Sequence, residues 1–123
     1  MNITDAEMEI MRIVWDSGER VTTKDIMEKL PGKKVTTILT LAGRLIHKGA
    51  LNAVKTGRSH AHEYWAGISE EEYQKMQTRS FIRSIYNGSA KNLISALFQD
   101  ENLTQENIEE LRAFIEKQVK RDD

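Results

Sequence analysis

The chain has 123 residues, of which 39% are hydrophobic and 30% charged, the balance of a folded soluble chain and not of a disordered one. It has no cysteine, which excludes disulfides, thiolate metal sites and a cysteine nucleophile. The net charge of −1 conceals an asymmetry: residues 1–68 carry 10 bases and 8 acids, residues 69–123 carry 8 bases and 11 acids. No apolar run approaches the roughly 20 residues that cross a bilayer. The acidic start MNITDAEMEI lacks the basic leader and apolar core of a signal peptide. A cytoplasmic protein with no membrane contact of its own is expected.

Thr4-Asp5-Ala6-Glu7 has the spacing of a capping box, in which a hydroxyl and a carboxylate satisfy free amides at a helix start. The helix should run to about Asp16 and bury Met8, Met11, Val14 and Trp15. Ser17-Gly18-Glu19 breaks it, and Val21 begins a short extended piece. Thr22 or Thr23 then caps a second helix, Lys24–Leu30, with Ile26, Met27 and Leu30 inward. Pro31-Gly32 ends it sharply.

The third helix, Lys34–Lys48, carries the functional signal. At about 100° per residue, Val35, Ile38, Leu39, Leu41, Ala42, Leu45 and Ile46 share one broad arc that must be buried. Thr36, Thr37, Thr40, Gly43, Arg44 and His47 share the other, with no apolar intruder. A merely solvated face would usually carry Glu and Lys pairs four residues apart. Short hydroxyls, a glycine and one arginine instead suit close approach to a polar surface. Threonine offers a methyl to thymine or a hydroxyl to phosphate, and arginine addresses phosphate or guanine.

The surroundings favour nucleic acid. From Lys33 through His62 there are six Lys or Arg, all three histidines, and no Asp or Glu. A phosphate-facing surface gives such a gap, because each carboxylate there would oppose binding.

Gly49 closes the third helix. Leu51–Lys55 and Ala61–Trp65 read as strands joined by the basic tip Thr56-Gly57-Arg58-Ser59-His60. Three short helices and a basic hairpin describe a winged helix-turn-helix over residues 1–68. Base or groove contacts are expected from Thr36, Thr37, Leu39, Thr40 and Arg44. Phosphate or wing contacts are expected from Lys33, Lys34, His47, Lys48, Lys55, Arg58 and His60. His60-x-His62-Glu63 would place two imidazoles on one side of a strand, but a stable zinc site needs three or four ligands, so no metal or cofactor is expected.

Residues 69–123 read as three more helices. One opens at Ser69-Glu70-Glu71-Glu72 and runs to about Tyr86, a short apolar one spans Ala90–Phe98, and Thr104 caps the last. Roughly 55 residues make a small core, which a symmetric dimer interleaving these helices would complete. Phe81, Ile85, Leu93, Leu97, Phe98, Leu111 and Phe114 are the expected dimerisation residues. The fold expected is mainly α with a small β-hairpin wing. No nucleophile–base–orienter set can be assembled, so an enzyme is not expected. The competing function is a winged helix used only for protein contacts.

The chain also resembles the BlaI/MecI penicillinase-repressor family of bacterial winged-helix regulators. The carriers are Glu7-Met8-Glu9-Ile10-Met11 with Val14-Trp15, then Thr36-Thr37-Ile38-Leu39-Thr40-Leu41 with Arg44-Leu45 and Lys48-Gly49. Gly57-Arg58, Tyr64, Phe81, Leu103-Thr104-Gln105 and Ile108-Glu109-Glu110-Leu111 continue the likeness. It implies a homodimer that binds a palindromic operator and represses adjacent genes, often for β-lactamase or other resistance functions. It also implies Thr36, Thr37, Thr40 and Arg44 in the groove, Arg58 as the wing contact, and inactivation by cleavage in the short apolar helix after a membrane sensor-protease signal. Three positions depart from the family pattern. Lys34 stands where a small polar cap is common, Leu39 where penicillinase repressors carry a basic residue, and Ala96-Leu97 where the scissile Asn-Phe is expected. Copper-sensing relatives carry C-terminal cysteines, which this chain lacks.

Overall fold

The computed structural model describes residues 1–59 and 61–121. They form α1 (Asp5–Ser17), β1 (Val21–Thr22), α2 (Thr23–Lys29), α3 (Val35–Lys48), β2 (Leu51–Lys55), β3 (His62–Ala66), α4 (Glu70–Ile85), α5 (Ala90–Phe98) and α6 (Gln105–Arg121). The chain divides into two compact units, Met1–Gln74 and Lys75–Asp123.

In the first unit each early helix begins where a hydroxyl can hold its free amides. Thr4 accepts from the Glu7 amide while the Glu7 carboxylate accepts from the Thr4 amide, and Thr22 and Asp25 repeat the arrangement on α2. α3 begins without such help: Lys34 holds the cap position and makes no side-chain cap bond. α3 ends at Gly49, whose φ of 84° is the left-handed conformation glycine adopts without steric cost.

The core joins Ile10, Met11 and Val14 of α1 to Ile26 of α2 and to Ile38, Leu41, Ala42 and Leu45 of α3. Leu51 and Tyr64 close it from the sheet. Several expected core positions differ. Ile10 is fully buried, whereas Met8 and Trp15 are only half-buried, because the inward stripe of α1 centres on Ile10–Met11–Val14. Met27 and Ile46 are exposed, since each sits at the outer margin of its helix's apolar arc. Trp15 instead uses its polar edge, its Nε1–H donating to the Ile68 carbonyl at 2.9 Å.

The wing is larger than a hairpin. β1 pairs antiparallel with β3 and β3 with β2, giving a three-stranded sheet in the order β1-β3-β2. The register sets Val21 opposite Tyr64 and Ala53 opposite Tyr64 on the other side. β3 begins at His62 and ends at Ala66, one residue later than its sequence pattern suggests. The first turn of α4 packs with this unit through Tyr73, whose hydroxyl accepts from the Ile3 amide at 3.3 Å and whose ring lies 6.0 Å from that of Trp15.

In the second unit Ser89 caps α5, accepting from the Asn92 amide. Thr104 caps α6 by a reciprocal pair with Asn107. Within α5 no residue is buried. Leu93, Phe98 and Leu111 are half-buried, while Phe81, Ile85, Leu97 and Phe114 remain exposed. No helix among the described residues is long and apolar enough to cross a membrane.

Candidate nucleic-acid interface

The outer arc of α3 stands clear of the rest of its unit. Thr36, Thr37, Thr40, Gly43, Arg44 and His47 are all exposed, while Ile38, Leu41, Ala42 and Leu45 on the opposite arc are buried. Burial of one arc thus aims the other outward. Thr36, Thr37, Thr40, Leu41 and Arg44 line a shallow open depression of about 260 Å³. Leu39 is half-buried at the border between the arcs.

Two details shape what this face can offer. The Thr40 hydroxyl donates to the Thr36 carbonyl at 2.9 Å, which leaves its methyl and its acceptor lone pairs outward. Gly43 has helical backbone, and a Cβ built there would meet nothing within 4 Å. Neither packing nor backbone conformation inside the unit therefore requires glycine, although glycine weakens a helix interior by roughly 0.5–1 kcal/mol relative to alanine.

The cations divide into free and engaged. Lys34, Arg44, Lys55 and Arg58 are exposed, and among the described residues no carboxylate lies within salt-bridge distance of them. Lys33 lies 3.7 Å from Glu9 of α1. Lys48, expected at the phosphates, is engaged within the unit. Its ammonium pairs with the Glu7 carboxylate and donates to the Asn2 carbonyl at 2.7 Å, so the side chain is turned toward α1. Glu7 is fully buried. Burial alone would raise its pKa, but the Lys48 and Thr4 hydrogen bonds outweigh it and hold the carboxyl below its ordinary value.

Lys55 ends β2, and Arg58 lies in the turn between β2 and β3, where Ser59 takes a φ of 62° and the Thr56 amide donates to the Ala61 carbonyl at 3.1 Å. His60 lies outside the described residues. The His62 ring stacks on Tyr64 at 5.8 Å. At the far edge of the sheet Arg20 lies 4.1 Å over the Trp65 ring and reaches Glu63 at 3.4 Å, tying β1 to β3. No cluster of three metal-ligating side chains occurs among the described residues.

The description "Penicillinase repressor" belongs to a family model that matches residues 3–117. The chain belongs to the penicillinase repressor family. It is a DNA-binding transcriptional repressor, and the relatives it resembles are repressors and not enzymes. It is 32% identical to the penicillinase repressor of Bacillus licheniformis, over 97% of this chain and 93% of that protein. It is 30% identical to the methicillin resistance regulatory protein MecI of Staphylococcus aureus strain N315, over 94% of each. Among solved structures it is similar to the monomeric form of Bacillus licheniformis BlaI in complex with the blaP half-operator. That likeness has 36% identity and a TM-score of 0.47, and covers 59% of this chain and 89% of that one.

The pairing that sequence reasoning missed is Glu7 with Lys48, 41 residues apart. Its one local signal is that Glu7 falls at the acidic position of a capping box, a role that by itself explains the residue.

Proposed function

We propose that the chain acts as a homodimer on a palindromic operator. Thr36, Thr37, Thr40 and Arg44 enter the major groove, with Leu39 at the margin. Lys34, Lys55 and Arg58 hold the phosphates or reach the adjoining minor groove, and Lys33 and His47 flank them. Of these, Lys34, Thr36, Thr37, Thr40, Arg44, His47, Lys55 and Arg58 are exposed, and all lie in the stretch 33–62 that holds no Asp or Glu. The observation that carries the reading is the exposure of the α3 polar arc in a unit whose Lys34, Arg44, Lys55 and Arg58 have no carboxylate partner among the described residues.

The dimer reading is supported by the second unit, where Phe81, Ile85, Leu97 and Phe114 are between 41% and 63% exposed. Several large apolar side chains left exposed on one small helical unit are what a partner surface would cover. A second copy of the same unit would supply it, with Leu93, Phe98 and Leu111 beneath. Two copies would also present two α3 helices to two half-sites. The family resemblance supports a role in controlling β-lactamase or other resistance genes and release by a sensor-protease pathway acting on α5, where Ala96-Leu97 stands in place of the family's scissile Asn-Phe. In α5 Ala96 is half-buried and Leu97 exposed.

Replacing Arg44 with alanine tests the groove assignment. Binding to a selected duplex should weaken by about 1–3 kcal/mol, with relaxed preference at one base position if Arg44 meets a base. A loss equal on every sequence makes Arg44 a phosphate contact. No loss on any sequence removes α3 from the interface.

A further inference from the structure

The Lys48 ammonium joins three parts of the chain at one point. It pairs with Glu7 Oε1 on α1, donates to the Asn2 carbonyl in the N-terminal arm, and belongs to the last turn of α3. Glu7 Oε1 accepts the Thr4 amide at 3.0 Å as well, so the same oxygen that caps α1 also anchors α3. The Glu7 side chain is 1% exposed and that of Lys48 30%. Glu7 Oε2 is buried without a partner.

Stability alone explains this arrangement poorly. Removing a carboxylate from water costs free energy that its ion pair roughly offsets, and a well-packed apolar pair of similar volume often serves as well or better. An oxygen left unpaired adds to that cost. The buried packing between α1 and α3 is otherwise apolar, with Ile10, Met11 and Val14 in one cluster with Ile38, Leu41, Ala42 and Leu45, and the further polar tie, Lys33 to Glu9 at 3.7 Å, is more exposed and lies before α3 begins. Apolar burial is non-directional and tolerates small slips and rotations of one helix on another. An ion pair with two further hydrogen bonds does not. Fixing register is the best attested use of a buried polar contact.

We infer that Glu7 and Lys48 are positioning residues for DNA recognition, locking the axial position and rotation of α3 on α1 so that Thr36, Thr37, Thr40 and Arg44 meet base edges in register. This rests on the reading of α3 as the groove helix. Lys48 stands one turn beyond Arg44 on the same helix, so a slip that breaks the pair moves Arg44 with it. Hydrogen bonds to bases tolerate only a few tenths of an ångström around about 2.9 Å. Phosphate contacts made through long, mobile lysine and arginine side chains tolerate more. The lock therefore acts on sequence discrimination and leaves general affinity alone.

The test uses the full chain and three variants: Glu7→Gln, Lys48→Met and the double replacement. Glutamine keeps the capping acceptor on α1 while removing the charge. The DNA is a duplex enriched by the unaltered chain from a random-sequence pool, with a scrambled duplex of equal length beside it. Dissociation constants are measured over a series of salt concentrations, and thermal unfolding is followed in parallel. Each single variant should bind the enriched duplex about tenfold more weakly. Binding to the scrambled duplex and the salt slope should stay unchanged. The double variant should lose no more than either single one, because both remove the same contact. If Lys48→Met leaves Glu7 unpaired and unfolds the chain, the double variant, lacking both charges, carries the same comparison. The inference is overturned if Lys48→Met weakens both duplexes and lowers the salt slope by about one, the signature of a phosphate contact. It is also overturned if all three variants bind the enriched duplex as well as the parent. Failure of the parent chain to enrich any sequence would instead remove the groove reading itself.

Discussion

Thr40 donates its hydroxyl hydrogen to the carbonyl of Thr36, one turn earlier in α3, at 2.9 Å. The exposed threonine face of the helix is therefore not a row of free donors. At Thr40 it presents a methyl and an acceptor. Replacement by valine keeps the methyl and the volume, whereas serine removes the methyl and keeps the hydroxyl. Thr40→Val should hold affinity for the enriched duplex within about twofold. Thr40→Ser should lose about fourfold, the worth of one buried methyl at ~0.8 kcal/mol. Dissociation constants on one duplex decide it, and the reverse order would assign recognition to the hydroxyl.

Gly43 separates stability from recognition. Its added Cβ would meet nothing inside the unit, so Gly43→Ala relieves the flexibility of the unfolded chain without a clash. Thermal unfolding should shift upward by a few degrees, corresponding to about 0.5–1 kcal/mol. The same methyl would stand on the groove face, and binding to the enriched duplex should weaken. A variant that is more stable and binds equally well would place the closest DNA approach elsewhere on the helix.

Glu7 contributes to the acid limb of stability. Burial pushes its carboxyl up, but the hydrogen bonds from Lys48 and Thr4 prevail, and the folded-state pKa lies below the ordinary 4.5. A carboxyl whose pKa is depressed by folding contributes stability above its unfolded value, and that contribution is lost as pH falls through the lowered folded value. Thermal unfolding of the parent chain should fall on acidification below about pH 4.5, while Glu7→Gln flattens this limb. An identical acid limb in both proteins would show that Glu7 is not the group being titrated.

The second unit predicts a concentration-dependent assembly. Ile85 is 63% exposed and lies beside Phe81, whose ring packs edge-on against Tyr86 at 5.6 Å. Ile85→Glu would place a charge on the apolar face without disturbing a buried neighbour. Sedimentation should show a dimer for the parent chain and a monomer for the variant, with weaker binding to a two-half-site duplex. A variant that remained dimeric would put the interface on another face.

Much of this molecule is legible locally. Thr4 with Glu7 and Thr104 before Gln105 start their helices where capping chemistry says they must, and α5 spans the stretch its apolar run marks out. The division of α3 into a buried and an exposed arc follows from its periodicity alone. What local pattern leaves open is decided by distant segments. Val21 and Thr22 gain strand character only by pairing with Tyr64 and Glu63, 43 and 41 residues away. Met27 and Ile46 lie at arc margins, where the reach of the neighbouring element, not periodicity, sets burial. Lys48 looks like one cation among several in an acid-free stretch. Its partner lies on α1, 41 residues back, beyond any local pattern.

The most direct test is a gel shift over a series of salt concentrations, with DNA from upstream of the protein's own gene and scrambled DNA of equal length. Tight binding to the upstream DNA that depends on a palindrome and weakens steeply with salt is the predicted result. Equal, weak binding to both duplexes at every salt concentration would contradict sequence reading by the α3 face.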